Sequence, residues 1–162
     1  MSLSPGQVHS KKAEITAEGG LFEMHDVELD GQRYRAYKHA PQTLLDVLAG
    51  ARAHADLEFI VYEEERYTYA EYFQQVDALA ASLQSDYDVK KGTRVAIAMR
   101  NNPQWAIAYA AITLVGGVVV PVNSWGKTEE LRYAMDDSSA ALLVCAEPRL
   151  AVIEDFLPEL GV

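Results

Sequence analysis

The sequence predicts an α/β fold in which N-terminal hairpins precede β-α-β-α-β-α with a three-stranded parallel sheet, itself one part of a larger domain. Three observations predict it. Continuous apolar runs occur at 93–99 (TRVAIAM), 118–122 (VVVPV) and 141–146 (ALLVCA), centred near Val95, Val119 and Leu143, in equal steps of 24 residues. Runs without alternation suit strands buried on both faces, as in parallel sheets, and the step leaves room for the helix of a right-handed crossover. Segments of helical period fill the intervals. The first half reads differently, with roughly alternating stretches around turn residues that mark antiparallel hairpins.

In chain order, residues 1–20 are polar and contain glycine, and are expected to form a loose tail, with Met1-Ser2-Leu3 read as a cloning remnant. Residues 21–162 are expected to form the partial domain. FEMHDVELDGQRYRAYK (22–38) alternates about Asp30-Gly31, a hairpin turn signal. Pro41 stops the second strand. Thr43 is positioned to cap a short helix with Asp46 in its first turn and Leu44, Leu45 and Leu48 as its stripe, ending near His54. EFIVYEEERYTY (58–69) predicts a second hairpin with its charged turn at 63–66. Thr68 and Glu71 have capping-box spacing, and Phe73, Val76, Leu79, Ala80 and Leu83 follow at helical intervals.

After the first apolar run, Asn102-Pro103 reads as N-cap and first helical position. The helix to about residue 115 is apolar nearly all round, which predicts deep burial. Gly116-Gly117 ends it. Thr128 is expected to cap a helix whose first turn carries Glu129 and Glu130 against the helix dipole. Pro148 opens a last helix with Leu150, Ile153, Phe156 and Leu157 on one side.

Composition narrows the function classes. The 162 residues include 14 basic and 24 acidic side chains, a formal charge of −10. Such a surface repels phosphate backbones and anionic bilayers, so no nucleic-acid partner is expected. The N-terminus lacks a secretory signal pattern and no apolar run approaches membrane-spanning length, so no transmembrane segment is expected and a cytoplasmic location is. The lone Cys145 sits in an apolar run and reads as a small buried hydrophobe. His9, His25, His39 and His54 are widely spaced, so no metal site is expected. No phosphate-loop motif occurs, Gly116-Gly117 lies at a helix end, and no serine sits in a nucleophile elbow. The acidic clusters at 63–65 and 136–137 read as a turn and a solvated helix end.

One loop stands apart. Asn123, Ser124 and Trp125, followed by Gly126-Lys127, come directly after the run 118–122. In open α/β sheets ligands bind beyond the carboxyl ends of strands, which makes these three the candidate substrate-binding residues. The competing structural account has Trp125 packed on the neighbouring helix and Asn123 forming a turn.

Together these segments resemble the start of the adenylate-forming, AMP-binding superfamily, which includes acyl-CoA synthetases, luciferases and the adenylation domains of peptide synthetases. TYAEYFQQVDALAASL (68–83) resembles its first recurring segment. KKGTRVAIAMRNNPQWAIAYAAITLVGGVVVPVNS (90–124) resembles the next, and TEELRYAMDDSSAALLVC (128–145) the helix and strand after it. The likeness runs in order from about residue 40. It is most similar to bacterial medium- and long-chain fatty acid CoA ligases. Thr93 stands where Asp is common after Gly92, and Gly117 follows Gly116 where an Ala-Gly pair is usual.

The resemblance implies a two-step reaction for an intact parent. A carboxylate attacks Mg-ATP to give acyl-adenylate and pyrophosphate, then CoA displaces AMP to give the thioester. It also implies that this stretch is scaffold. The family's phosphate loop, ribose-binding Asp and catalytic Lys have no counterpart here, so no catalytic, cofactor-binding or metal residue is carried over. Mg-ATP and CoA are implied for the parent only. The partners implied are the C-terminal remainder of the ligase, fatty acid, ATP and CoA, with self-association through exposed apolar surface when the remainder is absent. The alternative is a stand-alone, non-catalytic binding module of the same fold, expected to be a polar-surfaced monomer.

Overall fold

The structure, a computed structural model, describes residues 4–154 together with Phe156 and Pro158. Met1, Ser2, Leu3, Leu157, Gly161 and Val162 lie outside the described residues. The chain divides into two compact units, Met1–Thr43 and Leu44–Val162.

In the first unit, the segment expected as a loose tail carries helix α1, Pro5–Thr16. Its start is encoded locally. Ser4 and Gln7 exchange capping-box hydrogen bonds, and Pro5 occupies the first helical position, where its missing N–H costs nothing. The helix buries no residue, which is why apolar periodicity did not reveal it. Strands β1 (Met24–Leu29) and β2 (Gln32–Tyr37) then pair antiparallel, as expected. Asp30 and Gly31 both take positive φ, 50° and 74°, the requirement of a two-residue hairpin turn. Glu23 anchors the approach to the hairpin. Its carboxylate accepts from Gly19 N and Lys38 Nζ at 2.9 and 2.7 Å, and the Lys38 ammonium holds its pKa below the usual value.

The second unit opens with helix α2 (Leu44–Ala51) and one 3₁₀ turn, Arg52–His54. Strands β3 (Glu58–Tyr62) and β4 (Glu65–Thr68) form the second hairpin. Its turn is tighter than expected. Tyr62 pairs with Glu65, so the loop is only Glu63-Glu64, with Glu63 at φ 51°. Helix α3 (Tyr69–Ser85) begins at the Thr68–Glu71 capping box. Arg52 then clamps the 3₁₀ turn to α3, with two guanidinium hydrogen bonds to Asp77 and its plane 4.3 Å from the Phe73 ring centre.

Strand β5 (Arg94–Ala98), helix α4 (Pro103–Leu114), strand β6 (Val118–Pro121), helix α5 (Thr128–Ser138), strand β7 (Leu142–Cys145) and helix α6 (Glu147–Ile153) complete the chain. The three strands are parallel, in the order β6-β5-β7. Alternation along them sorts the core. Val95, Ile97, Val119, Leu142 and Val144 pack with α3 and α4. Ala96, Val120, Leu143 and Cys145 lie with Leu131 and Met135 of α5 and Ile153 of α6 on the other face. Both faces are covered, as unbroken apolar runs require. Each fully buried aliphatic side chain contributes about 1.5–3 kcal/mol.

Helix α4 is the most buried helix, capped by Asn102 Oδ1 accepting from Trp105 N at 3.0 Å. Its far end is a Schellman motif. Gly116 sits at φ 78°, its N–H donates to Thr113 O, and Gly117 N–H donates to Ile112 O. Helix α5 starts one residue earlier than expected. Lys127 is its N-cap, its amide donating to Glu130 at 2.7 Å, and Thr128 is the first helical residue. Cys145 is half-buried rather than fully buried, and that burial pushes its thiol pKa up.

Candidate functional site

The strand order places a crevice at the carboxyl ends of the sheet. β5 hands on to α4 on one face and adjacent β6 hands on to α5 on the other, so the outgoing loops of these two strands part. Such a point is where open α/β sheets bind ligands. The register sets who meets there. Ile97 pairs with Pro121 and Ala98 with Cys145, so Arg100, Ser124 and Glu147 follow their strands at matching depth.

A cleft of about 360 Å³ occupies this place, lined by Tyr62, Arg100, Asn102, Ser124, Trp125, Ala146, Pro148 and Arg149. Each of the three strand exits contributes, and Tyr62 comes from the tip of the β3–β4 hairpin. None of these residues is a carboxylate and two are arginines, in a chain of net charge −10. That local polarity favours an anionic ligand.

The three predicted residues take different parts. Asn123 builds the loop. Its Oδ1 accepts from Trp125 N at 3.1 Å and its carbonyl from Gly126 N at 3.0 Å, an Asx turn closed by a backbone turn. Ser124 and Trp125 line the cleft. Trp125 is 71% exposed, and the Arg100 guanidinium lies over its ring, 4.1 Å from the ring centre. Arg149 ties the loop down from α6, donating to Gly126 O at 3.3 Å.

Arg100, Tyr62 and Arg149 were not singled out from the sequence. Arg100 carried a usable signal, since it lies 24 residues before Ser124, the same step that separates the strand centres. Tyr62 and Arg149 carried none, because a hairpin tip and a later helix reach the cleft only through tertiary packing. Among the described residues no group of three His, Cys, Asp or Glu side chains could hold a metal ion. No helix among them is long and apolar enough to cross a membrane.

A family model described as AMP-binding enzyme matches residues 48–160, well over half of the chain. The chain belongs to the AMP-binding enzyme family. Among curated relatives, the long-chain-fatty-acid–CoA ligase of Salmonella typhimurium is 34% identical over 104 residues, which is 64% of this chain and 18% of that protein. The 4-hydroxybutyrate–CoA ligase 2 of Metallosphaera sedula is 27% identical over 95 residues, 59% of this chain and 17% of that protein. Among solved structures, a Rhodopseudomonas palustris protein described as a long-chain-fatty-acid CoA ligase superposes with TM-score 0.68 at 28% identity, over 74% of this chain and 30% of that one. The N-terminal subdomain of Klebsiella oxytoca NpsA, in complex with anthranilyl-AMSN, gives TM-score 0.63 at 26% identity, over 68% of this chain and 28% of that one. The α/β architecture of this chain is therefore that of an adenylate-forming ligase N-terminal subdomain. The matched stretch is less than one fifth of the curated relatives' own length.

Proposed function

We propose that this chain is the scaffold portion of an ATP-dependent acyl-CoA synthetase and that its cleft forms one wall of the acyl or CoA site. The observation that carries the reading is the arrangement at the sheet's carboxyl ends: Trp125 exposed on an Asx turn, Arg100 against its ring, and a lining free of carboxylates. Fatty acyl carboxylates and CoA phosphates are anionic, and both would meet favourable charge there. A membership shared with fatty acid CoA ligases supports the same substrate class.

The reaction proposed for the intact enzyme joins a carboxylate to the α-phosphate of Mg-ATP, releasing pyrophosphate, then passes the acyl group to the CoA thiol, releasing AMP. The side chains described here do not fit the metal-nucleotide part. Among the described residues no acidic cluster is arranged for a metal ion, and the sequence carries no glycine-rich phosphate-loop motif. We assign Mg-ATP contacts to other parts of the ligase and derive no step through them. Residues 1–162 by themselves are proposed to be inactive.

ATP–pyrophosphate exchange on purified residues 1–162, with Mg and carboxylates from C2 to C18, is expected to stay at background. Exchange that survives repurification would end the scaffold reading. In the intact ligase, Trp125→Ala is expected to raise one KM about tenfold, the loss of roughly 1.4 kcal/mol of stacking and apolar contact. A change in the carboxylate KM of the exchange reaction would place Trp125 at the acyl site. A change in the CoA KM of thioester formation would place it at the CoA site. If neither moves by threefold, the cleft is not a substrate wall.

A further inference from the structure

Within the first unit, helix α1 and strand β2 border a second cleft, of about 460 Å³, lined by His9, Lys12, Ala13, Thr16, Ala17 and Arg35. His9, Lys12, Ala13 and Thr16 stand at i, i+3, i+4 and i+7, one face of α1. Arg35 reaches the cleft from β2. No carboxylate lines it.

The ion pairs of this unit make that lining selective. Residues 4–43 hold five lysines and arginines: Lys11, Lys12, Arg33, Arg35 and Lys38. Three are engaged by acids, Lys11 by Glu14 at 2.7 Å, Arg33 by Asp26 at 3.2 Å and Lys38 by Glu23 at 2.7 Å. Among the described residues Lys12 and Arg35 enter no ion pair, and both line the cleft. Arg35 stands opposite Asp26 in the β1–β2 ladder, yet the Asp26 carboxylate is taken by Arg33. Thr16 spends its hydroxyl proton on Lys12 O at 2.9 Å. His9 keeps a ring N–H to donate in either protonation state.

Like charges brought together from two elements repel, and no acid in the lining offsets that cost. In a chain of net charge −10 the cleft is a local reversal of sign. Its two fixed positive charges, with a hydrogen-bond donor beside them, match a dianion. The volume far exceeds a phosphate group, and the Ala13 and Ala17 methyls offer apolar contact to an organic remainder.

We propose that His9, Lys12 and Arg35 form a binding site for the dianion of a phosphate monoester. The inference does not rest on the acyl-CoA reading above.

Amide shift mapping on the isotope-labelled chain, titrated with glycerol phosphate, tests it. Saturable shifts are expected at His9, Lys12, Ala13 and Arg35, with a millimolar Kd because the charges are exposed. Lys12→Gln combined with Arg35→Gln should weaken binding at least about tenfold, whereas Lys12→Arg, which keeps the charge, should stay within about threefold. Dimethyl phosphate, a monoanion, should bind at least about tenfold more weakly than glycerol phosphate. If the double variant loses its dispersed spectrum, Lys12→Arg and the monoanion carry the test. Phosphorus line broadening of glycerol phosphate repeats the comparison on the intact gene product.

Shifts that do not saturate, or that fall only at Arg100, Trp125 and Arg149, overturn the proposal, the latter by placing the anion in the first cleft. Equal affinity for dimethyl phosphate overturns the dianion. Cosedimentation with phosphatidylcholine vesicles carrying phosphatidic acid separates the two sources of a phosphate monoester. The net charge of −10 opposes an anionic bilayer, so the soluble ester is expected to bind and the vesicles are not. Vesicle binding abolished by the double variant would keep the site and make a lipid headgroup its ligand.

Discussion

Gly117→Ala is expected to destabilise the chain by about 1–3 kcal/mol, the usual cost of forcing a carbon into a packed interior. The cause is specific. A Cβ on Gly117 would lie 2.8 Å from Ile112 Cγ2, 3.1 Å from Ile112 O and 3.3 Å from Thr93 O. Ile112 is fully buried and branched at Cβ, so its methyl cannot swing away without leaving its rotamer. Gly117 also donates to Ile112 O at 2.9 Å, so the two backbones are already held together.

Ile112→Ala alone is expected to cost about 2–5 kcal/mol, the transfer and cavity terms of an emptied core position. The double variant should cost less than the sum by about 1 kcal/mol, because removing Cγ2 vacates the space the new Cβ needs. Urea midpoints at constant denaturant slope measure all three. Strict additivity would show that the backbone carbonyls, and not the Ile112 methyl, exclude a side chain at position 117.

The second large effect is alkaline. Tyr72 is 5% exposed, its hydroxyl donates to Ala106 O at 3.0 Å, and burial pushes its pKa up from 10.0 to about 12. In the unfolded chain the phenol ionises near its ordinary value, while in the folded chain it stays protonated. Between these values the unfolded state binds fewer protons, so stability falls as pH rises. Stability is unaffected by this group below about pH 10. It then declines by up to about 1.4 kcal/mol per pH unit toward pH 12, at most about 3 kcal/mol in all.

Tyr72→Phe separates this loss from other alkaline titrations. At pH 7 the variant should be weaker by about 1–3 kcal/mol, because the Ala106 carbonyl loses its buried donor. Above pH 10 it should lose stability more slowly than the parent, so the two curves converge. Parallel curves from pH 8 to 12 would mean that Tyr72 ionises equally easily in both states.

The scaffold that presents the cleft is largely legible in the sequence. The Asp30-Gly31 turn, the Thr68–Glu71 capping box and the Asn102-Pro103 helix start are local agreements between side chain and backbone, and each forms as expected. The misreadings were also local, and each had a competing cause. α1 has no buried face, so only Ser4, Pro5 and Gln7 announced it. Lys127 displaced Thr128 as N-cap because Glu130 reaches back to the Lys127 amide.

By itself, the sequence determined the elements from residue 22 onward, the parallel class of the sheet and the loop at 123–125 as the place to look, because period, caps and turn chemistry act over a few residues. Only the tertiary structure decided the order β6-β5-β7, since equal spacing of the strands is compatible with either side of β5. That order depends on which face each helix covers, a property of the whole packed core. It is also what brings Arg100, Tyr62 and Arg149 to Trp125, from positions as far apart in the chain as residues 62 and 149, and turns an exposed tryptophan on a loop into the wall of a cleft.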